Sequence, residues 1–483
     1  MASDILDFYP EYAATEKLDL LRQSPYGYSY LDEQNHVYLD YGGAGLASRA
    51  QIQAHSTHLT SVTLGNPHSV NPTSRTSSEL IDRTRAKILS FFNASPEEYA
   101  VVFTANASGA ARLVGESYPF GKRSKLAMTA DNHNSVHGLR CFAQRKRASH
   151  VYIPVTNKDE LRTDTKAVDL ALPSLKERRL FKRSDPSLFA FPAQSNFSGV
   201  CHPLSWVKLA QDRGYDVLLD AAAYLPTKKL DFSIIKPEFT IVSWYKVMGF
   251  PTGVGSLIVR KDALGRLKRP WFAGGTVKVA TVGLPLQIMT TDESSLEDGT
   301  LNFWAIPDIH IGLEWLGEVG MDMISLRVRC LTGYLIRKLM SLHHADGRPM
   351  VRFYGPTNTE GRGGTVAFNL LDSNGQIFDE RIVAEESAAY GISIRTGCFC
   401  NPGAGEAAFG VTKAALEPLK KAKGDPSMDE ILEIIGLASF GAIRVSLGIA
   451  STVKDVDIFL AFAEKVYKDR INDTRGLEPR HGC

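Results

Sequence analysis

The chain has 483 residues, 44% of them hydrophobic, and its 55 Lys+Arg nearly balance 53 Asp+Glu to leave a formal net charge of +2. That balance gives no global field to draw the chain to nucleic acid or to a membrane surface, while the length allows a large core and about two or three domains. Six cysteines in so long a chain make no disulfide framework, so reduced thiols are expected.

The N-terminal stretch MASDILDFYPEYAATEKLDLL carries acids and no long apolar core. It is neither a secretory signal nor a membrane span, and a cytoplasmic location is expected. Val37–Ala44 (VYLDYGGA) reads as a strand running into a flexible glycine turn, and Gly65–Ser69 (GNPHS) as a second loop; both are placed near a cleft. The basic runs Arg145–Arg147 and Arg178–Arg183 read as solvated faces.

Between Ala100 and Gly275, seven β-prone runs alternate with helical patterns: VVFTA, KLAMTA, SHVYIPV, SLFAFPA, DVLLDAA, FTIVSWY and GSLIV. Such alternation predicts an α/β fold in which a mostly parallel sheet is covered by helices on both faces. Sheets of this kind bind ligands beyond the carboxyl ends of their strands. Three strand ends here carry chemistry. VVFTA runs into Asn106-Ala107-Ser108-Gly109, which is either ordinary capping or a phosphate site at a helix N-terminus. DVLLD closes on Asp220, an acid that either caps the next turn or answers a buried cation. FTIVSWY reaches Lys246 before the Gly/Pro-rich turn of MGFPTGVG. A lysine walled by aromatic and apolar groups either snorkels to water or, if desolvated, loses enough basicity to form a Schiff base.

Past Gly275 the pattern changes to a second, smaller α+β unit. Glu297–Thr300 reads as a polar turn, Pro307–His343 as long helices, Val351–Leu371 as strands around a turn, and Asp379–Tyr390 as a helix. The last helix is expected to start at Ser451-Thr452 and to bury Val456, Phe459, Leu460, Ala463 and Val466; the polar stretch from about Asn472 is expected to be disordered. Before it lies Ile394–Ala404, IRTGCFCNPGA, a loop with two cysteines beside Arg395. A guanidinium favours thiolate, so a nucleophilic loop competes with two inert thiols; a metal site lacks the second ligand pair it needs and none is expected.

Taken together, SWYKVMGFPTGVGSLIV and IRTGCFCNPGA, with YLDYGGAG, GNPHS, VVFTANAS, PAQSNFSG, LLDAAAY and EDGT in order, resemble the aminotransferase class V family of pyridoxal 5'-phosphate (PLP) enzymes. Within it they are most similar to the cysteine-desulfurase domain of molybdenum cofactor sulfurases. The resemblance runs from about Tyr38 to Ile458 and implies the fold type I architecture of PLP-dependent transferases: a large domain (38–305) with a mostly parallel seven-stranded sheet between helices, and a small α+β domain (1–37 with 306–470), followed by a polar tail (471–483). It implies that Lys246 carries the cofactor as a Schiff base and moves protons, that His133 lies over the ring, that Asp220 pairs with the ring nitrogen, and that Asn196 bonds the phenolic oxygen. Ala107, Ser108, Ser243 and Tyr245 would hold the phosphate, and Thr276 would reach a partner subunit's cofactor. Arg444 would take the substrate carboxylate, Arg395 would position the cysteine loop, and Cys400, with Cys398 beside it, would become the persulfide.

The activity so implied is conversion of L-cysteine to L-alanine, with sulfur passed from Cys400 to a molybdenum cofactor or a separate protein, in a cytoplasmic homodimer. Two departures stand out: Gly405 replaces a third cysteine of the family motif, and Ala223 stands where many desulfurases have a polar residue. The further C-terminal domain usual in these sulfurases has no counterpart after the resemblance ends. The alternatives are a class V enzyme redirected to C–S lysis, decarboxylation or other amino-acid chemistry in secondary metabolism, where Cys400 would be dispensable, and a non-catalytic binding module.

Overall fold

The computed structural model describes residues 2–175, 185–422 and 424–480. The basic run at 178–183 therefore lies outside the described residues, whereas Arg145–Arg147 are solvent-exposed as expected. Every one of the seven β-prone runs is a strand. After a two-residue strand, Val37–Tyr38 (β1), they follow as Tyr99–Thr104 (β2), Lys125–Thr129 (β3), Ser149–Ile153 (β4), Leu188–Pro192 (β5), Asp216–Asp220 (β6), Phe239–Ser243 (β7) and Gly255–Arg260 (β8).

They form one sheet in the order β2-β8-β7-β6-β5-β3-β4. Only β8 runs against its neighbours; the other pairings are parallel. Strands β5, β6 and β7 are buried along their whole length, the pattern of a sheet covered on both faces. One face packs on Val102, Leu126, Leu188, Leu218, Ile241 and Leu257, and the other faces a larger core that also takes in the C-terminal part of the chain.

That part holds an exposed hairpin, Val277–Thr281 (β9) with Leu286–Met289 (β10), then helices Ile306–Val319 and Met321–Met340. A second sheet follows: Val351–Tyr354 (β11), Thr365–Leu370 (β12), Arg395–Gly397 (β14) and Ala442–Ser446 (β15), in the order β11-β12-β15-β14, while Ile392–Ser393 (β13) pairs with β1. The expected helices appear as Glu380–Ala389 and Val453–Tyr467. The latter is capped by Thr452 in a reciprocal box with Asp455 and buries Val456, Phe459, Leu460 and Ala463. The N-terminal helices pack on this same unit: Arg22, 4% exposed, pairs with Asp455 and donates to the Ala450 carbonyl at 3.0 Å.

Two expectations need correction. The tail is ordered as far as residue 480, because Arg480 binds Asp379 at 2.7 Å, Glu380 at 3.0 Å and Asp429 at 2.6 Å, and Asn472 bonds Asp372 and the Ile377 carbonyl. Polar composition alone missed this three-carboxylate socket. Glu297 belongs to more than a polar turn: it is 4% exposed, pairs with Arg85 at 2.8 Å, and accepts the Phe103 N–H at 2.7 Å.

The lysine follows β7 on a short helix, Trp244–Met248, closed by Gly249 at φ +78. A Cβ there would lie 2.2 Å from Ala47 N and 2.3 Å from Leu46 C. Gly253, at φ +72, faces open space. We expect Gly249→Ala to destabilise the protein by at least about 3 kcal/mol in urea denaturation and Gly253→Ala by only about 1 kcal/mol, since backbone strain is common to both and the clash is not.

Candidate active site

The carboxyl ends of β5, β6 and β7 and the start of helix Ala107–Ser117 enclose a cavity of about 360 Å³. Eight of the expected residues line it: Ala107, Ser108, His133, Asn196, Asp220, Ser243, Tyr245 and Lys246. Gln194, Ala222, Ala223 and Thr252 are also part of the wall.

Burial lowers the Lys246 pKa, and Asp220 opposes the shift. Burial likewise raises the Asp220 pKa, offset by the Ala222 N–H, which donates to Oδ1 at 2.9 Å, and by Lys246. The amine and the carboxylate thus act on each other electrostatically across the cavity, and the capping alternative for Asp220 is seen directly in the Ala222 N–H it accepts.

At the opposite wall, Asn106 caps helix Ala107–Ser117 by accepting the Gly109 N–H at 2.8 Å, and Ser108 Oγ lies 2.5 Å from Ser135 Oγ. First-turn N–H groups and two hydroxyls form a cradle suited to an anion. His133 Nδ1 accepts the Ser135 N–H at 3.1 Å. A backbone N–H can only donate, so Nδ1 carries no proton; burial, Lys246 and Arg444 bring the His133 pKa down to about 4, leaving a neutral ring protonated on Nε2.

Two expected residues lie on the second sheet. Arg395 on β14 and Arg444 on β15 stand directly opposite each other. Asp40 holds both: Oδ1 accepts from Arg444 Nη2 at 2.9 Å, and Oδ2 from Arg395 Nη2 at 2.7 Å. Gly42 and Gly43 let the chain pass this close, since a Cβ at 43 would lie 2.4 Å from Asp40 Oδ2 and one at 42 would lie 3.1 Å from Arg444 Cζ. Arg444 also donates to the Asn196 carbonyl at 3.1 Å and sits over the Phe399 ring, while its buried Nε meets no protein acceptor.

Cys400 is exposed and free, and its carbonyl accepts the N–H of Asn134, next to His133, at 2.8 Å. It is near enough to act electrostatically on Lys246. Phe399 and Cys400 both adopt the left-handed region, at φ +56 and +53, which side chains other than glycine rarely enter.

Cys398 differs from expectation: it is buried and disulfide-bonded, and because Cys400 is free its partner is some cysteine other than its neighbour. Thr276 is not brought to the cavity. It is 0% exposed, and its hydroxyl accepts the Ala273 N–H and donates to the Ala273 carbonyl within its own turn. Residues 65–69 form the expected loop, but it lies beside Gly275 and Thr300.

Sequence reading gave no role to Asp40, Asn134, Gln194 or Asn401. For Asp40 a signal existed, an acid at a strand end followed by two glycines; Asn401 followed Cys400 directly.

A mostly parallel seven-stranded sheet with a lysine just after strand β7 and an acid closing strand β6 defines the fold type I architecture of PLP-dependent enzymes. The chain belongs to the aminotransferase class-V family, whose model matches residues 37–459. It is 33% identical over 470 residues to a molybdenum cofactor sulfurase of Solanum lycopersicum, covering 92% of this chain and 57% of that one, and 32% identical to one of Homo sapiens, covering 88% and 49%. The chain thus spans about half the length of these relatives. In fold it is similar to a cysteine desulfurase from Thermococcus onnurineus (TM-score 0.74, 21% identity, 93% and 98% covered) and to the Escherichia coli desulfurase CsdA (TM-score 0.69, 20% identity, 92% and 97% covered). No helix among the described residues is long and apolar enough to cross a membrane.

The neutral histidine sets a pH dependence. Between pH 6.5 and about 4, His133 is protonated in the unfolded chain and neutral in the folded one, so the unfolded state binds more protons and stability falls as pH falls. His133→Asn, whose amide can still accept the Ser135 N–H, should remove about 2 kcal/mol of that acid sensitivity, read from urea midpoints of cofactor-free protein at pH 6.5 and 4.5.

Proposed function

We propose that this chain is a PLP-dependent cysteine desulfurase that converts L-cysteine to L-alanine and leaves a persulfide on Cys400. The observation that supports it best is a free, exposed cysteine on a left-handed loop hydrogen-bonded into the wall of the cavity that holds Lys246 and Asp220.

The residues present fit the cofactor. A desolvated amine can carry a carbonyl group, and among the described residues Asp220 has no ion pair for its buried charge, a place a protonated ring nitrogen would fill. The Ala107–Ser108 turn with Ser243 and Tyr245 would hold the phosphate, and the Asn196 side chain the phenolic oxygen. Bound there, the cofactor supplies an electron sink for negative charge developing at the substrate's α-carbon.

The chain's own groups do the rest. Arg444, buried and with a free Nε, takes the substrate carboxylate, and Asp40 keeps its guanidinium oriented. Lys246 accepts and returns the α-proton, a task suited to an amine of lowered basicity. Neutral His133, on the cavity wall, would lie against the cofactor ring without adding a charge. Cys400 Sγ forms the S–S bond as the cysteine Cβ–S bond breaks, and the organic product leaves as alanine, so the net change balances without an external oxidant. The acceptor is a molybdenum cofactor or a separate protein. Val282 at 97% exposure, Leu284 at 71% and Trp271 at 49% support a homodimer through the hairpin face.

The deciding experiment gives purified protein L-cysteine and a reductant and measures alanine and sulfide. Cys400→Ser should retain the lysine-bound colour and lose alanine formation by at least about 100-fold. Lys246→Ala should lose both. Colour without alanine in the wild type would instead favour another amino acid and a redirected class V reaction.

A further inference from the structure

Asn401 is fully buried, at 0% exposure, on the residue after the exposed thiol. Its Nδ2 donates to the Asp131 carbonyl at 2.8 Å and to Asn196 Oδ1 at 2.8 Å, and its Oδ1 accepts the Ala404 N–H at 3.2 Å, capping helix Pro402–Ala408. This amide has one permitted orientation. Flipping it would set Oδ1 against the Asp131 carbonyl oxygen and Nδ2 against the Ala404 N–H. Both anchors are backbone groups, and Asp131 is itself held by His202 at 2.7 Å.

The orientation of Asn196 follows. Because Asn401 can only donate toward it, Asn196 must present Oδ1 there and keep Nδ2 as a donor. One Nδ2 hydrogen goes to the Phe399 carbonyl at 2.7 Å. The second is left for the cavity that Asn196 lines. The Asn196 amide, held by Asn401, thus holds the left-handed Phe399–Cys400 backbone at the Phe399 carbonyl and aims one N–H inward.

We propose that Asn401 is a positioning residue: it fixes the Asn196 amide so that an N–H faces the cofactor's phenolic oxygen, and thereby ties the ring to the loop that carries Cys400. The inference rests on the cofactor reading above. A donor on that oxygen draws electron density from it and weakens its hold on the proton shared with the lysine nitrogen. Losing the donor therefore raises the pH at which the lysine-bound colour changes.

The test uses Asn401→Ser, whose hydroxyl can still cap Ala404 but cannot span to Asn196, and Asn401→Asp, which keeps the shape and the cap and has no N–H to give. Each is compared with wild type in affinity for added pyridoxal 5'-phosphate, in the pH midpoint of the visible absorbance, and in thermal unfolding without cofactor. Expected are about 10-fold weaker binding and a midpoint moved to higher pH in whichever variant folds as wild type does. Made in an Asn196→Ala background, either substitution should add nothing further to the affinity or the midpoint. A folded variant with wild-type affinity and midpoint, or a full additional shift in the Asn196→Ala background, would overturn the inference. Wild type that takes up no pyridoxal 5'-phosphate would overturn the cofactor reading and this inference together, whereas an indifferent Asn401→Ser beside a coloured wild type overturns this inference alone.

Discussion

Two arginines face each other across adjacent strands, and one carboxylate makes that arrangement tenable. Arg395 and Arg444 are cross-strand partners on β14 and β15, where like charges repel. Asp40 divides its two oxygens between them, with Arg444 nearly enclosed and Arg395 half exposed. Three distant pieces of chain are joined at this point: the segment after β1, the strand leading to Cys400, and the strand carrying the only buried guanidinium of the three groups. The glycines at 42 and 43 are needed for the close approach that lets the carboxylate sit between them. Loss of Asp40 would leave a buried Arg444 beside a like charge, a larger cost than the loss of an exposed ion pair.

A second constraint lies across the cavity. Asp220 ends a strand that is buried from end to end, so its charge is largely desolvated and faces only the cavity. Lys246 supplies the answering charge and loses basicity in the same surroundings. Each group is thereby left only partly satisfied. Structural ion pairs are usually built the other way, with every lone pair and proton accounted for, as Arg480 shows with its three carboxylates. A pair left short of partners beside an anion-binding helix start is what a charged, planar ligand would complete.

The large sheet was legible because its strands are buried on both faces and so read as continuous apolar runs, each stopped by a residue with chemistry: Ser243 before Lys246, and Asp220. Residues lying at those strand ends were found for the same reason. What was not legible depends on contacts distant in sequence. Asp40 and Arg444 are 404 positions apart, and Asn401 and Asn196 are 205 apart; local pattern says nothing of such pairs. Arg480 in a polar tail and Cys398 in a disulfide are failures of the same kind, since composition describes a segment and not the socket it finds. Thr276 shows another limit of local pattern: its hydroxyl is bonded within its own turn, which sequence alone does not reveal.

The exposures of the two reactive groups differ in a way that suits the proposed reaction. An amine that must bind a carbonyl compound at neutral pH gains from desolvation, and Lys246 faces an inner cavity where burial lowers its basicity. A thiol that must first meet a substrate inside and later give up sulfur to an acceptor outside cannot be buried in that way. Cys400 is exposed, yet its backbone is fixed at both sides, by Asn134 at its own carbonyl and by Asn196 at the carbonyl of Phe399. The loop is therefore open to solvent at the side chain and held to the cavity at the backbone. Its left-handed conformation costs free energy at two successive residues, and those hydrogen bonds offset it. A structural cysteine would gain nothing from being held this way; one that takes sulfur from within and delivers it outward needs both its exposure and its anchor.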